Sequence, residues 1–464
     1  MTVRVRYAPS PTGIPHVGNI RTALYDWLFA RHEDGAFVLR IEDTDQARLV
    51  PGALEKIYES LRWLGLDWDE GPDIGGPYAP YCQSERLERY HRYARQAIEA
   101  SHAYECFCSP ERLDQVRAEQ QARKQPPRYD RLCRDLSDAE REAKRAEGVT
   151  PVVRFRTPDS GTTGYHDLVR DDVEFDNATI DDFVMLKSDG FPTAHLAHVV
   201  DDHLMEITHV LRGDEWVSST PRQILLYQAL GWTPPQFAHL SVILGADKSK
   251  LSKRHGAVSV LDYRDQGFLP EAMLNFLGLL GWSLDDHTVL ISRRQFVEHF
   301  SLERLVKNPA VFDLEKLTWM NGVYLRELPE ERLATLIADR LEAGLPPSAT
   351  RPVDRETVRR LAPLVRERIK RLDEVSGMVE GFFTDELPYT AAGLLGKRFR
   401  DDASGAHDAL RRAKERLDGL APWEHEALEA AMRSLADDLS LKAGDLFMLL
   451  RVAITGRPIS PPLF

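Results

Sequence analysis

A proline-rich turn near the amino terminus has the residue types of a phosphate-binding site. The segment PSPTGIPHVGN, residues 9–19, follows a strand-like alternation and precedes a helical pattern. Backbone amides at the start of a helix can bind an anion, Gly18 lets a phosphate approach closely, and His16 can donate to a phosphate oxygen. The alternative is a purely structural turn, because proline and glycine are common where a strand leads into a helix.

A basic segment at residues 248–254, KSKLSKR, offers a second device for phosphate chemistry. It carries four cations with small hydroxyl residues between them. Ammonium groups on a flexible loop can neutralise charge on a transferring phosphoryl group. The alternative is an exposed basic loop. The common phosphate loops, GxxxxGKS or GxxxxGKT and GxGxxG, do not occur in the sequence.

The elements that must hold these segments follow an α/β pattern. Residues 3–7 alternate as in a strand, and an apolar stripe over 20–28 predicts a helix. Residues 37–41 form a short apolar run that is typical of a buried parallel strand. Strand and helix signals return at 207–211 and 219–230. We therefore expect an open α/β sheet built from both parts of the chain.

Together, the two phosphate segments resemble the HIGH and KMSKS signatures of class I aminoacyl-tRNA synthetases in order and separation. Flanking segments resemble bacterial glutamyl-tRNA synthetase over about residues 1–325; they are RYAPSPTG, RIEDTD, VVDDHLM, VLRGDEW and FDLEKLTWMNG. The resemblance implies an enzyme that activates L-glutamate with ATP, accompanied by Mg²⁺, and transfers it to the 3′ end of tRNA(Glu). The alternatives are a form that also charges tRNA(Gln) and a non-catalytic RNA-binding paralogue.

The resemblance also implies roles for individual residues. Glutamate has two carboxylates and one ammonium group, so its site needs guanidinium groups and a carboxylate. Arg6 and Arg212 are expected to bind the carboxylates, in an order that the sequence leaves open, with Ser10 and Glu42 near the ammonium group. The implied sets are Arg6, Ala8, Ser10, Glu42 and Arg212 for glutamate; His16, Gly18, Asn19, Glu215, Lys250 and Lys253 for ATP; and His16, Gly18, Lys250, Ser252 and Lys253 for catalysis.

Two positions depart from the pattern of the resembled family near the expected glutamate site. Ala194 stands where the family commonly has Tyr, and His198 stands where it often has Asn. Their effect on glutamate recognition is left open. The histidines and carboxylates within 195–203 could be taken for a metal site, but the resemblance favours a segment that borders the amino-acid pocket.

The cysteines Cys106, Cys108 and Cys133, with Asp135, have the spacing of metal ligands. Some bacterial members of the resembled family hold zinc at this place through Cys-x-Cys and Cys-x-His. Here Asp135 replaces the histidine, and a carboxylate is an acceptable zinc ligand. The alternative is three reduced thiols, because four cysteines in 464 residues do not make a disulfide framework.

Beyond residue 325 the strand pattern ends, and the sequence predicts helices separated by Pro and Gly. Residues 355–371 contain seven basic and two acidic residues, a balance suited to contact with RNA. An exposed amphipathic helix is the alternative. The position within the resembled family implies anticodon recognition, with Arg366 and Arg368 as candidates for reading the last base.

The expected fold class is therefore α/β with four parts. Residues 1–105 and 195–240 form a Rossmann-like catalytic domain, interrupted at 106–194 by an α+β domain that binds the tRNA acceptor end. A linking stem-contact domain at 241–325 carries KLSKR. An all-α anticodon-binding region follows at 326–464 and is expected to divide into two subdomains.

Composition adds limits on the class of protein. Hydrophobic residues make up 43% and charged residues 29%, which argues against a disordered or fibrous chain. The net charge of −13 argues against coating nucleic acid through overall charge, so tRNA contact should be confined to basic islands such as 355–371. The amino terminus lacks a secretory pattern and no apolar stretch is long enough to span a bilayer. We expect a cytoplasmic monomer without a membrane partner.

Overall fold

The computed structural model divides the chain into two compact units. It describes residues 2–252, 254, 256, 259–384, 386–387 and 389–464. The first unit comprises Met1–Asp262 and Met273–Asp313, and the second comprises Tyr263–Ala272 and Leu314–Phe464. The expected catalytic domain, the insertion and most of the stem-contact segment thus fall within one unit.

The regular elements alternate between strand and helix in the first part of the chain and are helical in the last part. The strands are β1 (Arg4–Tyr7), β2 (Ala36–Leu39), β3 (Ala103–Cys106), β4 (Val152–Phe155), β5 (Thr162–Asp167), β6 (Asp171–Asp176), β7 (Val184–Leu186), β8 (His209–Gly213), β9 (Gln236–Leu240), β10 (Ile243–Leu244) and β11 (Ala310–Val311). The helices are α1 (Val17–His32), α2 (Ala53–Leu64), α3 (Leu87–Glu99), α4 (Pro110–Ala122), α5 (Asp138–Ala146), α6 (Ala194–Leu204), α7 (Thr220–Leu230), α8 (Val260–Asp265), α9 (Pro270–Gly278), α10 (Arg293–His299), α11 (Leu314–Glu327), α12 (Glu330–Gly344), α13 (Arg355–Arg366), α14 (Glu374–Val379), α15 (Ala391–Leu395), α16 (Ala403–Asp418), α17 (His425–Asp438) and α18 (Ala443–Thr455).

Parallel pairing brings the two distant parts of the first unit together. β1 pairs in parallel with β2, and β8 pairs in parallel with β9. The amide of Thr208, just before β8, donates to the carbonyl of Arg4 in β1 at 2.9 Å. Because parallel strands end at the same edge of a sheet, the segments that follow β1, β2 and β8 meet there, which is where open α/β sheets bind ligands. The predicted α/β fold class is confirmed.

Strand pairing differs from the expected bounds of the insertion. β3, which the sequence assigned mostly to the catalytic domain, pairs antiparallel with β4, and β4 pairs with β7 in a separate sheet. β5 and β6, assigned to the insertion, instead join β9 and β8 in the order β6-β5-β9-β8. The buried carboxylate of Asp167 at the end of β5 accepts the amide of His239 in β9 at 3.2 Å, which ties the two strands together. Such pairing between distant segments leaves no local signal in the sequence.

Helix α1 lies in the core of the first unit. Ile20, Leu24 and Leu28 repeat along one face and are fully buried, as the apolar stripe predicts. A second apolar cluster contains Tyr90 of α3 and Leu196 of α6. These buried faces fix the helices against which the ligand-binding segments pack.

Among the described residues of the second unit the regular elements are all helices, and they form two apolar clusters. One contains Leu333 of α12 and Leu361 of α13, and the other contains Met432 of α17 and Leu446 of α18. α13 ends at Arg366, so the basic segment 355–371 is helical only in its first part. Among the described residues of the whole chain, no helix is long and apolar enough to cross a membrane.

Candidate active site

A polar cavity of about 240 Å³ opens where the segments after β1, β2 and β8 meet. We call it the polar pocket. Of the residues expected to bind glutamate or ATP, it is lined by Arg6, Ala8, Ser10, Asn19, Glu42, Arg212 and Glu215. Residues far apart in the sequence are thus brought to one edge of the sheet, including all those expected for glutamate.

Arg6 is held from behind by a buried carboxylate. Its Nε donates to Oδ1 of Asp202 at 3.1 Å, and Arg40 Nη1 donates to the same oxygen at 2.7 Å. Burial alone would raise the pKa of Asp202, but Arg6 and Arg40 lower it to about 2. Asp202 therefore stays ionised and partly neutralises the charge of Arg6.

Glu42 is fixed at both carboxylate oxygens. Oε1 accepts from Arg40 Nη2 at 3.2 Å, and Oε2 accepts from His198 Nε2 at 2.7 Å. Gln223 Nε2 donates to His198 Nδ1 at 3.1 Å, which leaves the imidazole proton on Nε2, facing Glu42. Burial would raise the pKa of Glu42, but His198 and Arg40 lower it below its usual range. Glu42 is therefore an ionised carboxylate that can receive an ammonium group.

Arg212 lies at the end of β8 and is only 6% exposed. Its Nε donates to Nε2 of His239 at 3.0 Å, and its Nη2 donates to the hydroxyl of Thr220 at 2.7 Å. Its Nη1 is buried and has no hydrogen-bond partner among the described residues. Burial lowers the pKa of Arg212 to about 10, which keeps it protonated at neutral pH. Arg212 thus presents an unpartnered charged donor at the pocket wall.

His16 is the residue that caps the start of α1. Its Nδ1 accepts the amide of Gly18 at 3.2 Å, so a neutral ring carries its proton on Nε2. Within the described part of the chain, Nε2 is buried without a partner. Burial lowers the pKa of His16, and the nearby positive charge of Lys250 lowers it further. The ring is therefore neutral at working pH and offers an N–H donor to a phosphate oxygen.

The basic loop contributes charge near this helix start. Lys250 is exposed, and its backbone bridges to Leu244 at the end of β10. Ser252 is half-buried. Lys253, the other lysine expected to bind triphosphate, lies outside the described residues.

Comparison with known proteins decides the family. A model for the catalytic domain of class I tRNA synthetases (E and Q) matches residues 2–319, and an anticodon binding domain matches residues 332–464. The glutamate–tRNA ligase of Dehalococcoides mccartyi is 53% identical over 462 residues, covering 100% of this chain and 94% of that relative. The glutamate–tRNA ligase of Moorella thermoacetica is 49% identical, with 100% and 94% covered. The chain belongs to the glutamate–tRNA ligase family.

A solved structure agrees with this assignment. The crystal structure of a glutamate tRNA ligase from Elizabethkingia meningosepticum, in complex with its amino acid, matches with a TM-score of 0.87 and 36% identity, covering 100% of this chain and 95% of that one. The full-length match shows that this chain has the overall fold of the glutamate–tRNA ligase family.

Three of the four proposed metal ligands come together elsewhere in the first unit. The sulfurs of Cys106, Cys108 and Cys133 lie within 4.8 Å of one another, and we call these residues the thiol cluster. The hydroxyl of Tyr129 lies 3.3 Å from the Cys106 sulfur and 3.6 Å from the Cys108 sulfur. Hydrogen bonds from Cys108 and Cys133 lower the pKa of the Cys106 thiol. The geometry is suited to a cation bound by soft ligands.

The structure does not bring Asp135 to the thiol cluster. Its side chain is 83% exposed and pairs with Arg156 at 3.0 Å. The oxygen beside the sulfurs belongs instead to Tyr129, four residues before Cys133. The spacing rule pointed to Asp135 because it counts positions, whereas the turn that contains Cys133 directs the Asp135 carboxylate towards Arg156.

The two anticodon candidates of this glutamate–tRNA ligase family member differ in their surroundings. Arg366 is half-buried, and its Nη2 donates to the carbonyl of Leu328 at 3.0 Å. Arg368 lies beyond the end of α13 and is exposed. Arg368 is therefore the more accessible of the two to a nucleotide base.

Sequence reasoning missed the residues that hold the pocket from behind. Asp202 and Arg40 lie in the quoted segments VVDDHLM and RIEDTD, but nothing local indicates that they share a hydrogen bond. His239 carried no signal beyond being a polar residue within an apolar strand. The residues of 195–203 do not converge on one point: Asp201 accepts from Arg86 at 2.6 Å, whereas His203 stacks on Trp232.

Proposed function

We propose that the chain joins L-glutamate to the 3′ end of tRNA(Glu) at the expense of ATP. The observation that carries this proposal is a pocket in which two buried guanidinium groups, Arg6 and Arg212, lie with one ionised carboxylate, Glu42. This set matches the two carboxylates and single ammonium group of glutamate. Membership of the glutamate–tRNA ligase family supports the same reaction.

In the first step a glutamate carboxylate oxygen attacks the α-phosphorus of ATP in line, and pyrophosphate leaves. Arg6 and Arg212 hold the carboxylates and Glu42 holds the ammonium group, so binding orients the attacking oxygen. His16 donates from Nε2 to a phosphate oxygen at the start of α1. Lys250 and Lys253 neutralise the triphosphate, and Mg²⁺ bound with ATP adds positive charge there.

In the second step the terminal ribose hydroxyl of tRNA attacks the acyl carbon of the glutamyl-adenylate. The bond from that carbon to the phosphate oxygen breaks, and AMP leaves. The phosphate of the adenylate accepts the hydroxyl proton, so this step requires no protein base. The pocket residues hold the acyl group in position while its bond to the phosphate oxygen breaks and its ester bond to the ribose forms.

Aminoacylation with purified components tests the proposal. Glutamate and ATP are offered with tRNA(Glu) and, separately, with tRNA(Gln). Charging of tRNA(Glu) alone is expected of a discriminating enzyme, and charging of both selects the non-discriminating form. If neither tRNA is charged, the proposed function is wrong. Pyrophosphate exchange with and without tRNA then shows whether adenylate formation requires tRNA.

The proposal includes recognition of the anticodon by the second unit. Arg368 is exposed and can reach a base, whereas the Nη2 of Arg366 is engaged by the Leu328 carbonyl. Arg368→Ala should raise the KM for tRNA more than Arg366→Lys does, with the KM for glutamate unchanged. Equal KM values for tRNA in the two variants would contradict this assignment.

We also infer a cytoplasmic monomer. The polar pocket holds its own residues: Arg6 is fixed by Asp202, Glu42 by Arg40 and Arg212 by His239, all of the same chain. Light scattering after gel filtration should give the mass of one chain; a mass of two chains would contradict the inference.

We further propose that the thiol cluster binds zinc, with Tyr129 as the fourth ligand. The sulfurs of Cys108 and Cys133 are 3.6 Å apart, close to the separation of about 3.8 Å between two thiolates at a tetrahedral zinc ion. Zinc at this place would cross-link β3 to the turn that contains Cys133 and would stabilise this part of the fold. Metal analysis of protein purified without added zinc should find about one zinc per chain. Absence of zinc from protein with fully reduced thiols would refute the site.

A further inference from the structure

A chain of three buried side chains runs across neighbouring strands behind the polar pocket. Asp167 at the end of β5 accepts from His239 Nδ1 in β9 at 2.5 Å. His239 Nε2 accepts from Arg212 Nε in β8 at 3.0 Å. Asp167 and His239 are fully buried, and Arg212 is 6% exposed. The chain ends on the arginine that presents an unpartnered donor at the pocket wall.

Asp167 anchors this chain as an ionised carboxylate. Its Oδ1 accepts the amides of Val169 and Arg170, each at 3.0 Å. Burial would raise the pKa of Asp167, but the hydrogen bond from the His239 ring and the backbone amides of Val169 and His239 lower it below its usual range. The shared proton therefore stays on His239 Nδ1.

The tautomer of His239 follows from this anchor. With its proton on Nδ1, the ring presents a lone pair at Nε2, the atom that faces Arg212. Burial lowers the pKa of His239, so the ring stays neutral. A protonated ring would offer a second N–H donor to the guanidinium and could not accept its hydrogen bond.

Thr220 fixes a second atom of the same guanidinium. Its hydroxyl donates to the carbonyl of Trp216 at 2.8 Å and accepts from Arg212 Nη2 at 2.7 Å. Two nitrogens of Arg212 are thus held by neutral acceptors, and only Nη1 is left over. Because a guanidinium is planar and rigid, fixing Nε and Nη2 also fixes the direction of Nη1.

Neutral acceptors orient a cation without cancelling its charge. Arg6 is paired with a carboxylate, whereas within the described residues Arg212 forms no ion pair. A carboxylate in place of the His239 ring would compete with the substrate for Arg212. In the chain of three side chains, the imidazole of His239 lies between the Asp167 carboxylate and the Arg212 guanidinium.

We propose that His239, held in one tautomer by Asp167, is a positioning residue that sets the affinity of Arg212 for a carboxylate of glutamate. This inference rests on the proposed function, because it takes glutamate as the ligand of the polar pocket. It concerns amino-acid binding and leaves ATP binding to other residues.

The test compares substitutions of His239 that differ in one property. His239→Gln can still accept from Arg212 through its amide oxygen and donate to Asp167 through its amide nitrogen. His239→Leu fills similar space but does neither. We expect His239→Leu to raise the KM for glutamate roughly 10-fold or more, because it leaves a buried charged donor without its acceptor. His239→Gln should recover most of this loss, and the KM for ATP should stay within about 2-fold in both variants.

A matched control is His209→Gln, at the opposite end of β8 from Arg212. It removes a histidine from β8, the strand that carries Arg212, and should leave the KM values for glutamate and for ATP unchanged. Thr220→Val removes the hydroxyl that accepts from Arg212 Nη2 and that lies 3.1 Å from His239 Nε2. It is the second variant if His239→Leu does not fold, and it should raise the KM for glutamate alone. The proposal is overturned if Leu and Gln at position 239 give the same KM for glutamate, or if the KM values for glutamate and ATP rise together.

The two proposals fail in different ways. If the unaltered protein charges neither tRNA, the proposed function is wrong. If it charges tRNA(Glu) and the His239 variants keep a normal KM for glutamate, only the positioning role is wrong.

Discussion

In the polar pocket the guanidinium groups of Arg6 and Arg212 line the cavity together with the Glu42 carboxylate; Arg6 is fixed from behind by a carboxylate, and Arg212 is fixed by neutral acceptors. In the thiol cluster three sulfurs and a phenol oxygen face one another, and the cations lie outside them. Arg112 Nη1 is 3.4 Å from the Cys108 sulfur, and the Arg154 guanidinium lies 4.0 Å from the centre of the Tyr129 ring. The two guanidinium groups of the polar pocket suit the carboxylates of a ligand, and the sulfurs of the thiol cluster suit a cation.

The two sites also differ in how far apart their residues lie in the sequence. Arg6 and Arg212 are brought together by parallel strands from distant segments, whereas the thiol cluster spans residues 106–133. A substitution in the polar pocket should therefore affect ligand binding, because the surrounding sheet is held by many other contacts. A substitution in the thiol cluster should affect the stability of its own segment, because the proposed zinc ion would itself supply the cross-link.

The largest effect is expected when Arg212, the cation of the polar pocket that is held by neutral acceptors, is removed. Arg212→Ala should lower kcat/KM for glutamate about 1,000-fold, since removing one partner of a buried, hydrogen-bonded charge pair costs several kcal/mol. Steady-state charging of tRNA(Glu) measures it, with the exposed Arg62→Ala as control. A loss below tenfold would mean that Arg6 alone carries carboxylate recognition, and the contrast between the two arginines would disappear.

The second effect tests whether the thiol cluster binds a cation. Cys106→Ser should abolish zinc binding and lower the temperature of unfolding, by about 1–2 °C for each kcal/mol lost in a chain of 464 residues. Metal analysis and calorimetry on the same preparations measure both. Cys82→Ser is the matched control, because Cys82 is a free thiol outside the thiol cluster. Equal zinc content in the two variants would remove the basis for a metal site.

A smaller effect tests which residue is the fourth zinc ligand: Tyr129, which the geometry indicates, or Asp135, which the sequence spacing indicates. Tyr129→Phe should weaken zinc binding about 10–100-fold, the usual cost of losing a group that supports a metal site. Asp135→Ala should leave zinc affinity unchanged, because the Asp135 carboxylate pairs with Arg156 instead. Competition with a chelator of known affinity measures both. If Asp135→Ala weakens zinc binding and Tyr129→Phe does not, then Asp135 and not Tyr129 is the fourth zinc ligand.

The sequence predicted what depends on local periodicity or on resemblance. The apolar stripe over 20–28 identified α1, and the quoted segments supplied Arg6, Glu42 and Arg212. It could not predict Asp202 beneath Arg6 or His239 beneath Arg212, because each of those contacts joins residues from strands or helices that meet only in the folded chain. The same limit explains why β5 and β6 were assigned to the insertion. The structure places the Asp135 carboxylate beside Arg156 and away from the thiol cluster, which spacing could not show because it gives the order of side chains but not their direction.

The smallest effect concerns a buried carboxyl group behind the polar pocket. Asp26 of α1 is fully buried, and neither of its oxygens has a hydrogen-bond partner among the described residues. Burial raises its pKa well above the usual value. A raised pKa in the folded state means that the contribution of Asp26 to stability is fully present below its unfolded pKa of about 3.9 and is lost as pH rises through the folded pKa.

Asp26→Asn removes this titration while keeping the size of the side chain. Urea unfolding should show the variant to be more stable than the unaltered protein at pH 8, by about 1.4 kcal/mol for each pH unit between the unfolded and the folded pKa of Asp26, because the amide has no proton to lose on unfolding. The difference should shrink as pH falls below about 4, where the carboxyl becomes protonated in the unfolded state as well as in the folded state. The KM for glutamate should stay the same, because Asp26 does not line the polar pocket. A variant that is less stable at both pH values would mean that Asp26 is ionised and paired in the native protein, and that the carboxylates behind the pocket act as one charged network.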